Sequence, residues 1–144
     1  MRASLSILPF VLCVTGCDWL GSGDDSDRQP FPTPSHWQVQ RIDGEAASDA
    51  GDAVIGVVAF AEGEVSGVGA CNQYGGEYSA DDKGRIGIDG LFATEMYCGD
   101  DLHPFEERLF EALVGAERWR LNDDGTLALR GSADLVLAPM LVRW

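Results

Sequence analysis

Basic side chains are scarce in this chain: ten Lys and Arg stand against 24 Asp and Glu, a formal charge of −14 over 144 residues. A nucleic-acid binder needs a basic face to neutralise phosphate, and a polybasic patch on anionic lipid needs the same; neither is expected. No apolar run approaches the ~20 residues that span a bilayer as a helix. Histidine is limited to His36 and His103, and no pair among Cys71, Cys98, His36 and His103 stands at the short spacing of structural zinc sites, so no metal site is expected there. No Asp/Asn-rich loop with a Gly and a closing Glu supplies an EF-hand. What remains is ordinary: 45% hydrophobic residues, enough to rule out wholesale disorder, in a length that fits one domain.

Residues 1–16 read as a leader outside the fold. Met1-Arg2 precedes an apolar run from Ala3 to Val14, the layout of a secretory signal peptide. Its end, Val14-Thr15-Gly16-Cys17, resembles a bacterial lipobox, in which Cys17 is acylated and becomes the mature N-terminus. Several acyl chains give firm anchoring where one is marginal, at ~0.8 kcal/mol per buried methylene. Residues 17–35 read as a tether, with Asp18, Asp24, Asp25 and Asp27 followed by Pro30, Pro32 and Pro34. Prolines in alternation favour extended, unpaired backbone. Asp18 beside the lipid site resembles an inner-membrane retention signal. The implied location is a bacterial membrane, at the periplasmic side of the inner or outer membrane or at the cell surface.

Residues 36–144 read as the domain, and strand signals dominate it. His36 to Ile42 alternates Trp37 and Val39 against polar neighbours, with Ile42 in phase only after a slip, and Asp43-Gly44 turns the chain. Val54 to Phe60, Val65 to Cys71, Tyr74 to Ala80, Arg85 to Asp89, Trp119 to Asn122, Thr126 to Arg130 and Ala133 to Val142 are the other predicted strands, several joined by Gly-ended turns. One helix interrupts them. From Leu102 to Val114, Leu102, Phe105, Leu109, Ala112 and Leu113 make an apolar stripe, while Glu106, Glu107, Arg108 and Glu111 are assigned elsewhere. Asp100 or Asp101 is the expected cap, Pro104 suits the first turn and Gly115 the exit. Phe110 and Val114 widen the apolar face, implying burial against a sheet.

A longer pattern carries a resemblance. Val65-Ser66-Gly67, then Cys71-Asn72-Gln73-Tyr74-Gly75-Gly76-Glu77-Tyr78, then Thr94-Glu95-Met96-Tyr97-Cys98, precede the acidic helix in that order. With Trp37, Val39, Ile42 and Gly44 upstream, this resembles the META domain family, also called HslJ-like, over Trp37 to Leu141. Ala70 stands where the family usually has Gly, and Tyr97 where it has a small residue. The resemblance implies an α+β fold: a small antiparallel, incompletely closed β-barrel with one packed helix. It also implies envelope or secreted proteins, some of them lipoproteins, with roles in stress tolerance or secretion and no established catalysis. The motif residues Ser66, Gly67, Asn72, Tyr74, Gly76, Tyr78, Thr94 and Met96 are the family's candidate structural or binding positions. Read on their own, the glycines suit bends or close backbone approach, Asn72 suits a bond to local backbone, and Tyr74 and Tyr78 share one face.

Once Cys13 leaves with the leader and Cys17 takes lipid, Cys71 and Cys98 remain in an exported, oxidising setting. A bridge between them closes a loop of about 28 residues, worth roughly 3–4 kcal/mol; neighbouring free thiols are the alternative. The paired acids Asp81-Asp82, Asp100-Asp101 and Asp123-Asp124 sit at turns and a helix start, where solvated Asp has a local role. No nucleophile motif accompanies His103, so no enzyme and no cofactor are expected. The expected function is a lipid-anchored, non-catalytic module that binds or stabilises an envelope protein; the alternative is a carrier or sensor of a small apolar ligand in the half-open barrel.

Overall fold

The computed structural model describes residues 28–33, 35–47 and 56–141. The leader, Cys17, most of the tether and the start of the strand expected at Val54 lie outside them. The strands are β1 (Ser35–Ile42), β2 (Glu45–Ala46), β3 (Val57–Ala61), β4 (Glu64–Val68), β5 (Gln73–Ala80), β6 (Ile86–Ala93), β7 (Ala116–Leu121), β8 (Leu127–Gly131) and β9 (Asp134–Pro139), with α1 (His103–Val114) between β6 and β7. The strand order is β6-β5-β4-β3-β1-β9-β8-β7, with β2 a short flap paired to β1. Every named pairing is antiparallel.

The sheet curls until its two outer strands almost meet. One isolated bridge, Arg85 to Arg118, and a bond from Trp119 N–H to Gly84 O at 2.9 Å join β6 to β7. Beyond them the barrel is unsealed, as the resemblance implied. The slip read at Ile42 is a β-bulge: the β1–β9 register shifts between Val39 and Arg41, which returns Ile42 to the inside. The interior is filled by Val58, Phe60, Val65, Leu127, Leu129, Leu135 and Leu137, each under 2% exposed. Helix α1 covers one end, laying Phe105, Leu109, Ala112 and Leu113 on the sheet.

Phe31 closes the other end. It stands in the stretch read as tether, yet its ring packs edge-on to Phe60 and Trp119 and against Tyr78, at centroid distances of 5.0–5.4 Å. Thr33 adds a bond from Oγ1 to Phe60 O at 3.3 Å. The proline-rich segment is thus docked on the barrel at Phe31 and Thr33.

The helix ends differ from expectation. Its N-cap is Leu102, with no side-chain cap, and neither Asp100 nor Asp101 takes that place. Gly99 O already accepts the N–H groups of Leu102 and His103, and Pro104 has none to satisfy. The Asp100 carboxylate instead accepts the Tyr97 hydroxyl. Val114, expected in the buried face, is 54% exposed at the open seam.

An arginine row crosses the outer face of the seam. Arg85 stands opposite Arg118, and Arg118 opposite Arg130, which pairs with Asp134 at 3.9 Å. Like charges directly opposite are destabilising, so Arg118→Thr should raise stability by ~0.2–1 kcal/mol. A denaturation midpoint that falls, at unchanged urea m-value, would contradict the reading.

Candidate functional site

The family motif converges on a residue outside it. Glu106 is 4% exposed, on the α1 face that meets the sheet end. Its Oε2 accepts the backbone N–H groups of Ala70 at 2.8 Å, Cys71 at 3.2 Å and Asn72 at 3.0 Å. Its Oε1 accepts from Asn72 Nδ2 at 2.5 Å. Three successive amides and one side-chain amide therefore point at one carboxylate, an anion-holding arrangement of backbone. Gly69 makes room for it: a Cβ there would sit 2.6 Å from Oε2.

Asn72 carries the network to the second half of the motif. Its Oδ1 accepts Met96 N–H at 2.7 Å and the Thr94 hydroxyl at 2.8 Å, and its Nδ2 also donates to Met96 O at 3.0 Å. Thr94 Oγ1 in turn accepts Gln73 N–H at 3.1 Å. Asn72 therefore spends its side chain on distant backbone and on Glu106, not on its own turn as the sequence suggested. Beside this network Cys71 and Cys98 form a disulfide, Cα to Cα 5.8 Å, so the bridge and not the pair of free thiols is found. The Glu106 carboxylate lies within 4.8 Å of both sulfurs; His103 instead pairs with Glu107 at 3.2 Å on the exposed side of the helix. With both sulfurs bridged and the carboxylate committed to N–H donors, the cluster offers no thiolate to an ion.

Burial alone would raise the Glu106 pKa. The bonds from the Asn72 side chain and from the Asn72, Ala70 and Cys71 N–H groups override it and hold the carboxyl below its ordinary range. Such a carboxylate is a fixed anion with its acceptors occupied, poorly suited to moving protons.

The other motif residues divide by place. Tyr74 is buried, bonds Val57 O through its hydroxyl at 2.8 Å and stacks edge-on to Phe110; burial pushes its phenol above the ordinary value. Tyr78 lies further along β5 and packs on Phe31 and Phe60, so both tyrosines do face inward, one towards each end of the barrel. Ser66 faces solvent on β4. Gly76 sits where a Cβ would approach Asp89 O to 3.0 Å, next to the β5–β6 bulge. Gly67 is tighter still, since a Cβ would land on Val57 O and within 2.7 Å of the Tyr74 hydroxyl. Gly67→Ala should cost about 1–3 kcal/mol by overpacking, read as a lower urea midpoint; an unchanged midpoint would show that β3 and β4 can part there.

Met96 is set apart from the network it lends its backbone to. Its side chain is 56% exposed, and with Phe92 at 71%, Tyr97 at 76% and Val114 it forms an apolar rim around the unsealed end of the seam. Two hollows lie there: a groove of about 620 Å³ lined by Leu91, Phe92, Ala93, Phe110 and Val114, and a second of about 460 Å³ reaching Asn72, Met96, Tyr97 and His103.

Sequence reasoning placed Glu106 on the polar side of the helix. Its spacing carried the signal: Leu102, Phe105, Glu106, Leu109 and Leu113 fall on one stripe, with Glu106 in the fourth-residue slot. An acid inside an apolar stripe requires buried donors, and the amides of Ala70 to Asn72 supply them.

Comparison with known proteins agrees with this geometry. The profile described as META domain matches residues 32–141. The fold is similar to a solution NMR structure of a protein from Burkholderia xenovorans, at TM-score 0.62 and 18% identity, covering 99% of this chain and 98% of that one. A second NMR structure is similar at TM-score 0.57 and 20% identity, over 72% of this chain and 86% of its own. At those identities the likeness is one of fold. No curated protein matches.

Proposed function

Because the chain belongs to the META domain family, we propose that it is an envelope lipoprotein, anchored through Cys17, whose domain binds and stabilises another envelope protein without catalysing a reaction. The observation that carries this reading is the apolar rim. Of the five large hydrophobic side chains exposed among the described residues, Phe92, Met96, Tyr97 and Val114 surround one seam. Contiguous exposed apolar surface of this kind marks interaction sites. Glu106 supports the non-catalytic part, because its carboxylate is filled by the Ala70, Cys71 and Asn72 N–H groups and by Asn72 Nδ2, donors that hold the fold.

The arrangement also suits an anchored protein. Phe31 brings the tether in beside Tyr78, while the rim stands beyond the Tyr74–Ala93 end of the same β5–β6 ladder. A partner can then reach the rim on the side away from the membrane. Palmitate labelling in the native host tests the anchor: Cys17→Ser should lose the label and release the protein from the membrane fraction, and retention there would refute it. Photo-cross-linking from position 92 in native membranes tests the binding role, with a discrete protein adduct expected and none from position 66.

The alternative is a carrier of a small apolar ligand. The barrel interior is filled, so such a ligand would occupy the 620 Å³ seam groove instead. Lipid-like masses released when the purified domain is denatured would favour that reading.

A further inference from the structure

Strand β6 is paired along one side only. Past the single Arg85–Arg118 bridge, its other side meets no strand among the described residues; α1 packs along it, and the 620 Å³ groove lies between Leu91 to Ala93 and the Phe110 to Val114 end of the helix. Natural edge strands are usually blunted by lysine, proline or inward charge. The edge from Asp89 to Ala93 reads Asp-Gly-Leu-Phe-Ala, with a bulge at Gly90 but no lysine, proline or inward charge past Asp89. Its apolar end is the part that lines the groove. The charged side chains around the two hollows are of one sign: Glu111 beside the groove, and Glu95 and Glu107 beside the second hollow, with His103 paired to Glu107. Among the described residues no Lys or Arg lines either.

We propose that this seam receives an extended, apolar segment of another protein, flanked by Lys or Arg, which pairs with the open edge of β6 and seats alternate side chains against Leu91, Phe110 and Val114. Main-chain bonds to a free edge give affinity, and side-chain pockets at a two-residue period give selection. The acidic rim chooses a basic flank, since opposite potentials across an interface favour one partner and disfavour another. The proposal rests on the domain being a binding module, and it is independent of the lipid at Cys17.

The test uses the whole chain after the leader, carrying Cys17→Ser so that it stays soluble. The probe is a synthetic peptide of about twelve residues, Val and Thr in alternation between terminal Lys pairs, alongside one with Glu pairs and one with a central Pro. Saturable binding of the Lys peptide is expected, with amide shifts at Leu91 to Ala93 and along the C-terminal half of α1. The Glu and Pro peptides should bind about tenfold more weakly or worse. Phe92→Ser, at an exposed position, should weaken the Lys peptide about tenfold with the circular dichroism spectrum unchanged. No saturation at millimolar Lys peptide, equal affinity for the Glu peptide, or shifts confined elsewhere would overturn the proposal. So would a dimer formed through β6, or insertion of Phe92 into phosphatidylglycerol vesicles, because each gives the seam a different occupant. None of these results touches palmitate labelling at Cys17, so the two readings fail separately.

Discussion

Glu106→Ala should remove about 3–5 kcal/mol of folding free energy, and Glu106→Gln about 2–3 kcal/mol. The alanine leaves the N–H groups of Ala70, Cys71 and Asn72 without their acceptor in a buried place. The glutamine retains one oxygen for those three donors but turns its amide nitrogen on Asn72 Nδ2. Asn72 has no means of inverting to accept it, because its Oδ1 already serves Met96 N–H and Thr94. Two donors then face each other.

The acid limb of the stability curve provides a second measurement of the same residue. The folded-state pKa of Glu106 is depressed below its ordinary 4.5. Its stabilisation is therefore complete above the unfolded value near 4.5 and is lost as pH falls through the lower folded value. Wild type should lose stability more steeply than Glu106→Gln across that window. Asp81 and Asp124 are depressed by local hydrogen bonds, foremost those from Arg85 N–H and from the Thr126 hydroxyl, and contribute with the same sign in both proteins. Urea titrations at pH 7, 4 and 3 separate the two curves; parallel acid limbs would mean that the Glu106 carboxylate is not held as its geometry indicates.

Loss of the Cys71–Cys98 bridge is the second large effect. The crosslink spans 27 positions of sequence, for which the chain-entropy argument gives roughly 3–4 kcal/mol and a fall of about 10–15 °C in Tm for a domain of this size. Calorimetry on the Cys71→Ser/Cys98→Ser double variant, and on wild type with reductant, should give matching falls. The bridge and Glu106 hold the same short segment, Ala70 to Asn72, from two sides. Their effects should therefore not add: with the bridge gone, Glu106→Ala costs less than it does in the oxidised protein. Strict additivity would mean that the segment keeps its shape without either.

Much of this architecture is legible in the sequence, for reasons that vary by element. The strands advertise themselves through alternation, and the register slip at Ile42 was visible because Trp37 and Val39 set a phase that Ile42 breaks. The ordered motif from Ser66 to Cys98 identified the family. The apolar stripe reveals the helix but not its chemistry, since a Glu in such a stripe reads as surface until its donors are known. Those donors are amides more than thirty positions upstream. Phe31 was hidden among prolines, whose extended backbone suits a tether and a docked strap equally well. The expected Asp cap failed because a carbonyl, Gly99 O, did the capping, and main-chain partners leave no mark in composition. The open seam was implied only by the family's barrel, and nothing local in β6 announces that its second side lacks a strand.

The position of β1 has a consequence for the order of folding. Strands β3 to β6 form one sequential meander and β7 to β9 another, each built from near neighbours. Only β1 is laddered to both, pairing with β3 on one side and with β9 on the other, while β6 and β7 share a single bridge at the seam. The second pairing brings Trp37 to Pro139, roughly a hundred residues along the chain, a separation of the kind that slows folding. Met140 N–H, just past β9, completes it on His36 O at 2.9 Å. The two meanders can each assemble early, and the Cys71–Cys98 crosslink lies within reach of the first. The domain as a whole closes only when its final strand is available, so a chain cut short before β9 leaves β1 with an open edge and the core without Leu135 and Leu137.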